Sequence, residues 1–433
     1  MHVGGTERGG KKPHQPPGAS IGDAGQAAPC TDGALVVETP PPLSLYVHLP
    51  WCISKCPYCD FNSHALKGSL PEQAYLAALT RDLQHSVGEL GRRPLQSIFF
   101  GGGTPSLFSA SGLAAFLDKV AGLLSLEPDI EITLEANPGT IERGAFADYR
   151  AAGINRVSLG AQSFDDEKLQ ALGRIHRAAE TIGSVRELEK AGLENFNLDL
   201  MYGLPGQSPA QAVDDLAQAI SLAPAHISHY QLTLEPNTLF AAKPPELPGH
   251  DRCWEMQRQC QDTLAEAGYE HYEVSAFAQA GRRCRHNLNY WTFGDYLGLG
   301  AGAHGKLSVG DEVKRDWRLR HPADYMAAAD PIEGTRILTA EEKLFEFMLN
   351  ALRLEQGFSM DLLCERTGLD RAFCAPSLGE AVAKGLLLVS GSHCRPSEIG
   401  LNFRDNLVAI FLPDGRENSG RARTGNGESY GFL

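Results

Sequence analysis

The chain has 433 residues, enough for one large domain and a smaller second one. Its 42% hydrophobic and 21% charged residues are typical of a soluble globular protein, and no apolar run is long enough for a transmembrane helix. The net charge of −14 argues against nucleic-acid binding, because such binding neutralises phosphates with Lys and Arg. We recognise no secretory signal and expect a cytoplasmic protein, in which clustered cysteines bind metal more often than they form disulfides.

Short apolar runs alternate with amphipathic helical patterns over the first half of the chain. Strand–helix units of about 30 residues favour a parallel sheet with helical crossovers. Six such units are too few for a closed eight-stranded barrel, so we predict an α/β fold with a partial (β/α)6 barrel and its functional residues at the carboxyl ends of the strands. The predicted strands are 43–49, 96–102, 130–136, 156–162, 195–203 and 226–233, and the helices include 72–87, 111–124, 179–192 and 210–222.

The composition changes divide the chain into four segments. Residues 1–41 and 413–433 are rich in glycine and other small or polar residues and are predicted to be disordered. Residues 42–305 carry the barrel pattern, and residues 306–412 are predicted to form a small, mainly helical, winged-helix-like domain. The acidic balance favours a packing or lid role for this second domain over DNA binding. Its first helix, 339–354, is expected to begin after Thr339, with Glu342 completing a capping box.

A cysteine cluster, Cys52-x3-Cys56-x2-Cys59, follows the first predicted strand directly. Thiolates are the usual ligands of iron–sulfur clusters, and one loop of this spacing can ligate three corners of a cubane cluster. The fourth iron then lacks a protein donor and is open to a small chelating molecule. The alternative is a zinc site, but structural zinc takes four protein ligands and no second cysteine pair has a suitable spacing.

The C-x3-C-x2-C loop after the first strand of a partial barrel resembles the radical S-adenosylmethionine (SAM) superfamily. Over residues 43–412 the order of motifs is similar to one branch, the oxygen-independent coproporphyrinogen III oxidases and the related heme chaperones. The resemblance implies a [4Fe–4S] cluster whose fourth iron binds the amino and carboxylate groups of SAM. It also implies that an electron from the cluster splits SAM into methionine and a 5′-deoxyadenosyl radical.

The same resemblance assigns SAM-binding positions along the barrel. Acidic residues there can accept hydrogen bonds from ribose hydroxyls or the SAM amino group, and an arginine can pair with its carboxylate. Glycines allow the backbone to approach a ligand closely. Taken singly, each polar position has the alternative of a solvated or capping side chain. The positions are Tyr46, Tyr58, Gly102, Gly103, Thr104, Glu135, Gln162, Arg174 and Asp199.

The segment 300–305, GAGAHG, satisfies the glycine pattern of a dinucleotide-binding loop. It lacks the acidic residue that should follow in a βαβ unit, so we reject a dinucleotide site. The resemblance instead places this loop near the barrel mouth, with His304 close to the cofactor.

Two features favour the heme chaperones over the oxidases within the branch. Asp60 and Phe61 follow Cys59, whereas the oxidases carry a further cysteine soon after the cluster motif. The segment CRHNLNYW, 284–291, contains an H-N-x-x-Y-W signature that resembles the heme-binding segment proposed for the chaperones.

His286 and Cys284 of that segment are the candidate axial ligands of heme iron. Tyr290 and Trp291 offer stacking surfaces, and nearby arginines, including those of the run 314–320, offer partners for the propionates. The alternative is that His286 is a packed, hydrogen-bonded histidine.

We therefore expect a heme chaperone that transfers heme to an acceptor protein and carries a [4Fe–4S] cluster with exchangeable SAM. The first alternative is an enzyme that oxidatively decarboxylates coproporphyrinogen III, and the second is a radical SAM enzyme with another substrate. The expected partners are heme or coproporphyrinogen III, an acceptor protein and an electron donor. Any membrane contact is expected to be peripheral, and a homodimer is left open.

Overall fold

The computed structural model describes residues 40–91, 93–139 and 145–413. The predicted disordered segments lie outside these residues, except for positions 40, 41 and 413. Among the described residues, no helix combines the length and the apolar character needed to cross a bilayer.

Over residues 43–231 the six predicted strands alternate with helices, as the sequence predicts. The strands are β1 (Leu43–Leu49), β2 (Trp51–Cys52), β3 (His64–Ala65), β4 (Leu95–Gly102), β5 (Leu126–Ala136), β6 (Arg156–Gln162), β7 (Phe196–Tyr202), β8 (His226–Gln231), β9 (Glu270–Glu273), β10 (Ala276–Ala278), β11 (Asp295–Leu299), β12 (His304–Val309), β13 (Glu312–Arg318), β14 (Ile332–Ile337), β15 (Phe358–Ser359), β16 (Leu387–Ser390) and β17 (His393–Pro396). The α-helices are α1 (Glu72–Ser86), α2 (Ala110–Leu123), α3 (Phe146–Ala151), α4 (Asp166–Ala171), α5 (Ala178–Ala191), α6 (Pro209–Ser221), α7 (Leu239–Ala242), α8 (His250–Glu266), α9 (Arg285–Trp291), α10 (Pro322–Ala327), α11 (Ala340–Ala351), α12 (Met360–Thr367), α13 (Arg371–Ala383), α14 (Glu398–Asn402) and α15 (Arg404–Ala409).

The central sheet has the order β14-β13-β12-β11-β1-β4-β5-β6-β7-β8-β10-β9. Its strands β1 and β4 to β8 are parallel and are the six predicted strands, so the partial α/β barrel is confirmed. The sequence did not predict β11, which pairs in parallel with β1 on its other side.

Strand β1 shows how the sheet separates its two faces. Every residue of LSLYVHL is buried, because helices cover one face of a parallel sheet and the barrel interior covers the other. Leu45 and Val47 join the large apolar core with the helices. The alternate residues Ser44, Tyr46 and His48 point to the opposite face, so the barrel interior is lined by polar side chains.

The predicted domain boundary at residue 305 falls within the large sheet. Strands β12, β13 and β14 pair in antiparallel fashion with β11 and with one another, so residues 306–337 complete the large sheet. The mainly helical region begins after β14, where α11 to α15 and the three-stranded sheet β15-β17-β16 enclose a second apolar cluster. Its first helix begins after Thr339 as predicted, and the Thr339 hydroxyl accepts a hydrogen bond from the Glu342 amide at 3.2 Å.

Arg318 in β13 joins the extended sheet to α1 through buried ion pairs. Its guanidinium lies 3.1 Å from Asp82 and 2.5 Å from Asp316, and none of its side chain is exposed. We expect Arg318→Met to lower the free energy of unfolding by about 3–5 kcal/mol, because two carboxylates lose their buried partner. Urea unfolding checks this value. Lys384→Met, which breaks an exposed pair with Glu380, is the control and should cost below about 1 kcal/mol. Equal losses in the two variants would contradict the prediction.

Candidate functional site

Of the three cysteines of the cluster motif, Cys52 ends β2, and Cys56 and Cys59 lie on the loop that follows. All three are free and partly exposed. Among the described residues, no three metal-binding side chains converge as the ligands of a single ion would. Ligands of a cubane cluster need not converge in this way, because each thiolate binds a different iron. The donor set and the spacing of the loop therefore fit a [4Fe–4S] cluster.

The surroundings of the sulfurs also suit a cluster. Arg174 donates an N–H to Cys56 Sγ at 3.5 Å, and the Ser63 hydroxyl lies 3.9 Å from Cys59 Sγ. Hydrogen bonds to the sulfurs tune such clusters. Burial raises the pKa of Cys52 to about 11, so this thiol keeps its proton until a metal displaces it.

The glycine-rich loop after β4 packs against the cluster loop. Gly102 has a φ of +112°, and a Cβ on it would meet the His48 ring at 2.5 Å. A Cβ on Gly103 would lie 2.5 Å from the Trp51 carbonyl oxygen. Glycine is therefore needed at both positions because neighbouring protein segments leave no room for a Cβ. The approach of a ligand, which the sequence predicted as the reason, is not the only one. Thr104 completes the contact, since its amide donates to the Trp51 carbonyl at 2.7 Å.

Two carboxylates face each other across the barrel mouth. Glu135, near the end of β5, accepts a hydrogen bond from the Gly102 amide at 3.1 Å. Asp199, in β7, accepts from Ser158 at 3.1 Å and from Asn197 at 2.8 Å. Burial raises the pKa of both groups, and the proximity of Asp199 raises that of Glu135 further. Two half-buried carboxylates, neither of them in an ion pair with another described residue, suit a ligand that carries positive charge or hydrogen-bond donors.

Arg174 connects the cluster loop with the glycine-rich loop. Besides Cys56, it donates to the Gly160 carbonyl at 2.8 Å and to the Asn137 side chain. Asn137 in turn donates to the Thr104 hydroxyl at 3.0 Å. A small pocket opens here between Cys56, Thr104, Asn137 and Arg174. A guanidinium beside an open iron position can orient a chelating carboxylate.

Gln162 ends β6 in a left-handed backbone conformation, with a φ of +66°. Such backbone outliers in non-glycine residues are uncommon and cluster at functional sites. Its side-chain oxygen accepts a hydrogen bond from the Tyr230 hydroxyl at 2.9 Å, which aims the amide across the barrel mouth.

The remaining predicted positions lie around this mouth. Tyr46 is buried, and its hydroxyl is hydrogen-bonded to His48 Nδ1 at 2.9 Å. Tyr58 is half-buried and packs against Phe240, with 6.2 Å between the ring centroids. His304 is exposed and stacks on Trp317. Tyr46 and Asp199 lie in the middle of β1 and β7, whereas the other predicted SAM positions lie on loops or near strand ends.

Sequence reasoning missed the residues that support these positions. Asn137, Tyr230 and Ser158 hold Arg174, Gln162 and Asp199 in place. Arg156, which begins β6, is 2% exposed, and its Nε has no hydrogen-bond partner among the described residues. Its charge opposes the rise that burial causes in the pKa of Asp199. The alternation of side-chain direction along β6 could have indicated Arg156 as a supporting residue, because Arg156 and Ser158 lie on the same face of the strand.

The H-N-x-x-Y-W segment forms α9, and its histidine is not available to heme iron in this structure. His286 is 1% exposed, with Nδ1 2.9 Å from the Ser97 hydroxyl and Nε2 2.9 Å from the Tyr290 hydroxyl. The helical spacing of four residues brings Tyr290 onto the ring. Burial lowers the pKa of His286 to about 3, so the ring is neutral. In this geometry His286 is a packed, hydrogen-bonded histidine, and its role as a heme ligand stays a prediction.

The other residues suggested for heme are also engaged. Cys284 is fully buried, and its thiol donates to Glu131 at 3.6 Å. Arg285 pairs with Glu127 at 2.6 Å and with Asp129 at 3.0 Å. In the run 314–320, Arg315 pairs with Glu346 and Arg318 with Asp82. These contacts fasten α9 and β13 to their neighbours.

The pKa of Glu135 has a measurable consequence for the cofactor-free protein. Burial and Asp199 raise it to about 8 from an ordinary value of 4.5. Between these values the folded chain holds a proton that the unfolded chain has released, so this group lowers the free energy of unfolding as the pH rises. We expect the stability of the wild type relative to Glu135→Gln to fall from about pH 5 to about pH 8 and then level off.

Urea unfolding at a series of pH values checks this expectation. The exposed control Glu194→Gln should follow the wild type at every pH. A pH-independent difference between the wild type and Glu135→Gln would contradict the raised pKa.

Sequence profiles and solved structures assign a class to this fold and site. The profile of the radical SAM superfamily matches residues 46–219, and that of the HemN C-terminal domain matches residues 338–403. The fold is similar to coproporphyrinogen III oxidase (HemN) from Escherichia coli, a radical SAM enzyme, with a TM-score of 0.72 over 86% of this chain and 90% of that chain. Sequence identity to that structure is 22%, so this likeness concerns the fold alone. The class is that of radical SAM proteins with a HemN-type C-terminal domain, to which a [4Fe–4S] cluster and SAM belong.

More similar relatives narrow the assignment. The chain is 48% identical over 375 residues to the heme chaperone HemW of Escherichia coli strain K12, covering 86% of this chain and 99% of the relative. It is 47% identical to the heme chaperone HemW of Haemophilus influenzae and 34% identical to that of Bacillus subtilis, again over 99% of each relative and over 86% and 85% of this chain. The chain belongs to the heme chaperone HemW family.

Proposed function

We propose that this protein is a heme chaperone that binds heme and passes it to an acceptor protein, while it carries a [4Fe–4S] cluster with exchangeable SAM. The observation that carries the proposal is the 48% identity to a heme chaperone over 99% of that relative. The residues after the cluster motif support it. Asp60 and Phe61 follow Cys59, and both side chains are exposed beside the cluster loop.

The residues of the barrel mouth have distinct roles in this proposal. A bound [4Fe–4S] cluster with SAM supplies one-electron chemistry at the sulfonium group. Cys52, Cys56 and Cys59 hold the cluster, and Arg174 orients the carboxylate of SAM beside Cys56.

Two further groups hold the rest of the SAM molecule. Glu135 and Asp199 accept hydrogen bonds from its amino and ribose groups. Gln162, held by Tyr230, fixes the position of the nucleoside end.

An acceptor protein and an electron donor complete the proposed cycle. The acceptor takes the heme, and the donor reduces the cluster. Contact with a membrane-bound acceptor would be peripheral, and self-association to a homodimer remains a prediction.

The test is a split assay on protein reconstituted anaerobically with iron and sulfide. One half is titrated with heme and followed by absorbance, and the other is incubated with SAM, a reductant and coproporphyrinogen III. Saturable heme binding at one per chain without decarboxylated product supports the chaperone. Turnover to protoporphyrinogen IX without saturable heme binding overturns the proposal in favour of the oxidase.

A further inference from the structure

Gln162 is the central residue of a tight turn at the end of β6. The Ser163 amide donates to the Ala161 carbonyl at 2.9 Å, and the φ of Gln162 is +66°. These two features match the γ-turn with positive φ, which is rare and strained. A bulge accompanies the turn, since the step from Leu159 to Gln162 spans three residues in β6 but only two in β7. A non-glycine residue keeps such a backbone only where its surroundings hold it.

Two side chains hold the carbonyl groups that precede Gln162. Arg174 donates to the Gly160 carbonyl at 2.8 Å, and His176 Nε2 lies 3.1 Å from the Ala161 carbonyl oxygen. A carbonyl only accepts hydrogen bonds, so Nε2 carries the proton of this contact. His176 is 4% exposed, and a hydrogen bond shielded from water is stronger than an exposed one. The Ala161 carbonyl, at one end of the turn, is therefore held from outside β6 by His176.

The other contacts of the turn come from different elements. The Tyr230 hydroxyl in β8 donates to the Gln162 side-chain oxygen at 2.9 Å. Asp215 in α6 accepts a hydrogen bond from the Ser163 hydroxyl at 2.6 Å. Tyr230 thus fixes the side chain, Asp215 the residue after the turn centre, and His176 the carbonyl before it. With the other two contacts in place, loss of one should loosen the turn without unfolding the strand.

The segment that carries His176 also reaches the cluster loop. Arg174, two residues earlier, donates to Cys56 Sγ at 3.5 Å, and both Arg174 and His176 line the pocket beside Cys56. Arg174 therefore acts at the methionine end of the SAM site. His176 acts through the turn at the nucleoside end, which the proposed function assigns to Gln162. One short segment thus connects the two ends of the site.

We propose that His176 is a positioning residue for SAM, because its hydrogen bond to the Ala161 carbonyl holds the turn in the conformation that aims the Gln162 amide at the nucleoside. This inference rests on the SAM site of the proposed function and adds to it a residue that acts through another one. His176 should therefore affect the binding of ligands that carry a nucleoside, and it should have no effect once the Gln162 side chain is removed.

The first test compares two substitutions of His176 in the full-length, cluster-loaded protein, with SAM affinity measured by calorimetric titration. Glutamine can place its amide N–H near the position of Nε2, whereas the shorter asparagine cannot reach the Ala161 carbonyl. We expect His176→Asn to raise the dissociation constant of SAM about tenfold, and His176→Gln to stay within about twofold of the wild type. His250→Asn, at the exposed start of α8, is the control and should not change the affinity.

Two further titrations separate positioning from a general loss of structure. Methionine carries the chelating groups of SAM but no nucleoside, so its dissociation constant should be the same in His176→Asn and the wild type. In a Gln162→Ala background, His176→Asn should cause no further loss of SAM affinity, because the two residues act as one unit. Iron content and circular dichroism show whether the variants are folded. Should His176→Asn fail to fold, His176→Phe, which fills a similar space without a donor, takes its place.

Each of four results overturns the positioning role: wild-type SAM affinity in His176→Asn, an equal loss in His176→Gln, an equal weakening of methionine, or an additive loss in the double variant. The proposed function is tested separately, by the heme titration. The absence of saturable heme binding, with the expected SAM results, removes the chaperone function and leaves the role of His176 standing. The absence of SAM binding to the cluster-loaded wild type overturns the SAM site and this inference together.

Discussion

Cys56→Ala should leave the protein folded but without its iron–sulfur cluster. Cys56 lies between the other two cysteines of the loop and accepts a hydrogen bond from Arg174 at 3.5 Å. With two thiolates left, the loop cannot ligate three corners of a cubane cluster. We expect iron after anaerobic reconstitution to fall from about four atoms per chain to below about one. Iron and sulfide analysis with the visible absorbance of the cluster measures this loss.

The matched control for the loss of cluster is Cys253→Ala. Cys253 is a free cysteine in α8 and is buried, so the substitution removes a thiol without touching the cluster loop. It should keep full iron and sulfide content. Equal iron in Cys56→Ala and the wild type would refute the assignment of the loop, and circular dichroism of both variants excludes unfolding as the cause.

Arg174→Gln should weaken SAM binding by about 10- to 100-fold, because one hydrogen bond to a charged group contributes about 1.5–3 kcal/mol. The side chain lines the pocket beside Cys56 and donates to the Gly160 carbonyl at 2.8 Å. Since the three cysteines remain, the variant should keep its iron. Calorimetric titration of the cluster-loaded protein with SAM gives the affinity.

Arg177→Gln is the control for the loss of one positive charge. Arg177 is exposed three residues farther along the chain and lies at the start of α5. Its substitution removes the same charge without entering the pocket, so SAM affinity should stay at the wild-type value. An unchanged affinity in Arg174→Gln would remove this arginine from the SAM site.

The cluster loop and the barrel strands were predictable because their signals are local. The spacing of Cys52, Cys56 and Cys59 is read directly, and a fully buried parallel strand such as β1 is a short segment rich in apolar residues. The predicted bounds of β1 and β6 agree with the structure at both ends. Thr339 and Glu342 identified a helix start for the same reason, since a capping box lies within four residues.

The edges of the sheet were not predictable, because antiparallel pairing depends on partners far apart in the chain. Residues 306–337 have no property that assigns them to the barrel until β12 pairs with β11. The residues that hold the cofactor-binding side chains in place were not predictable for the same reason. Asn137 reaches Arg174, and Tyr230 reaches Gln162, across separations that no periodicity records.

The sequence by itself determined the family, through its resemblance to known motifs. It also determined the candidate cluster ligands and the parallel strands, because these follow from spacing or from apolar residues within one segment. Only the tertiary structure decided the surroundings of His286. His286 lies in the H-N-x-x-Y-W motif, but its two ring nitrogens are hydrogen-bonded to Ser97 and Tyr290. Burial and hydrogen-bond partners are properties of the folded chain, and no spacing within the sequence shows them.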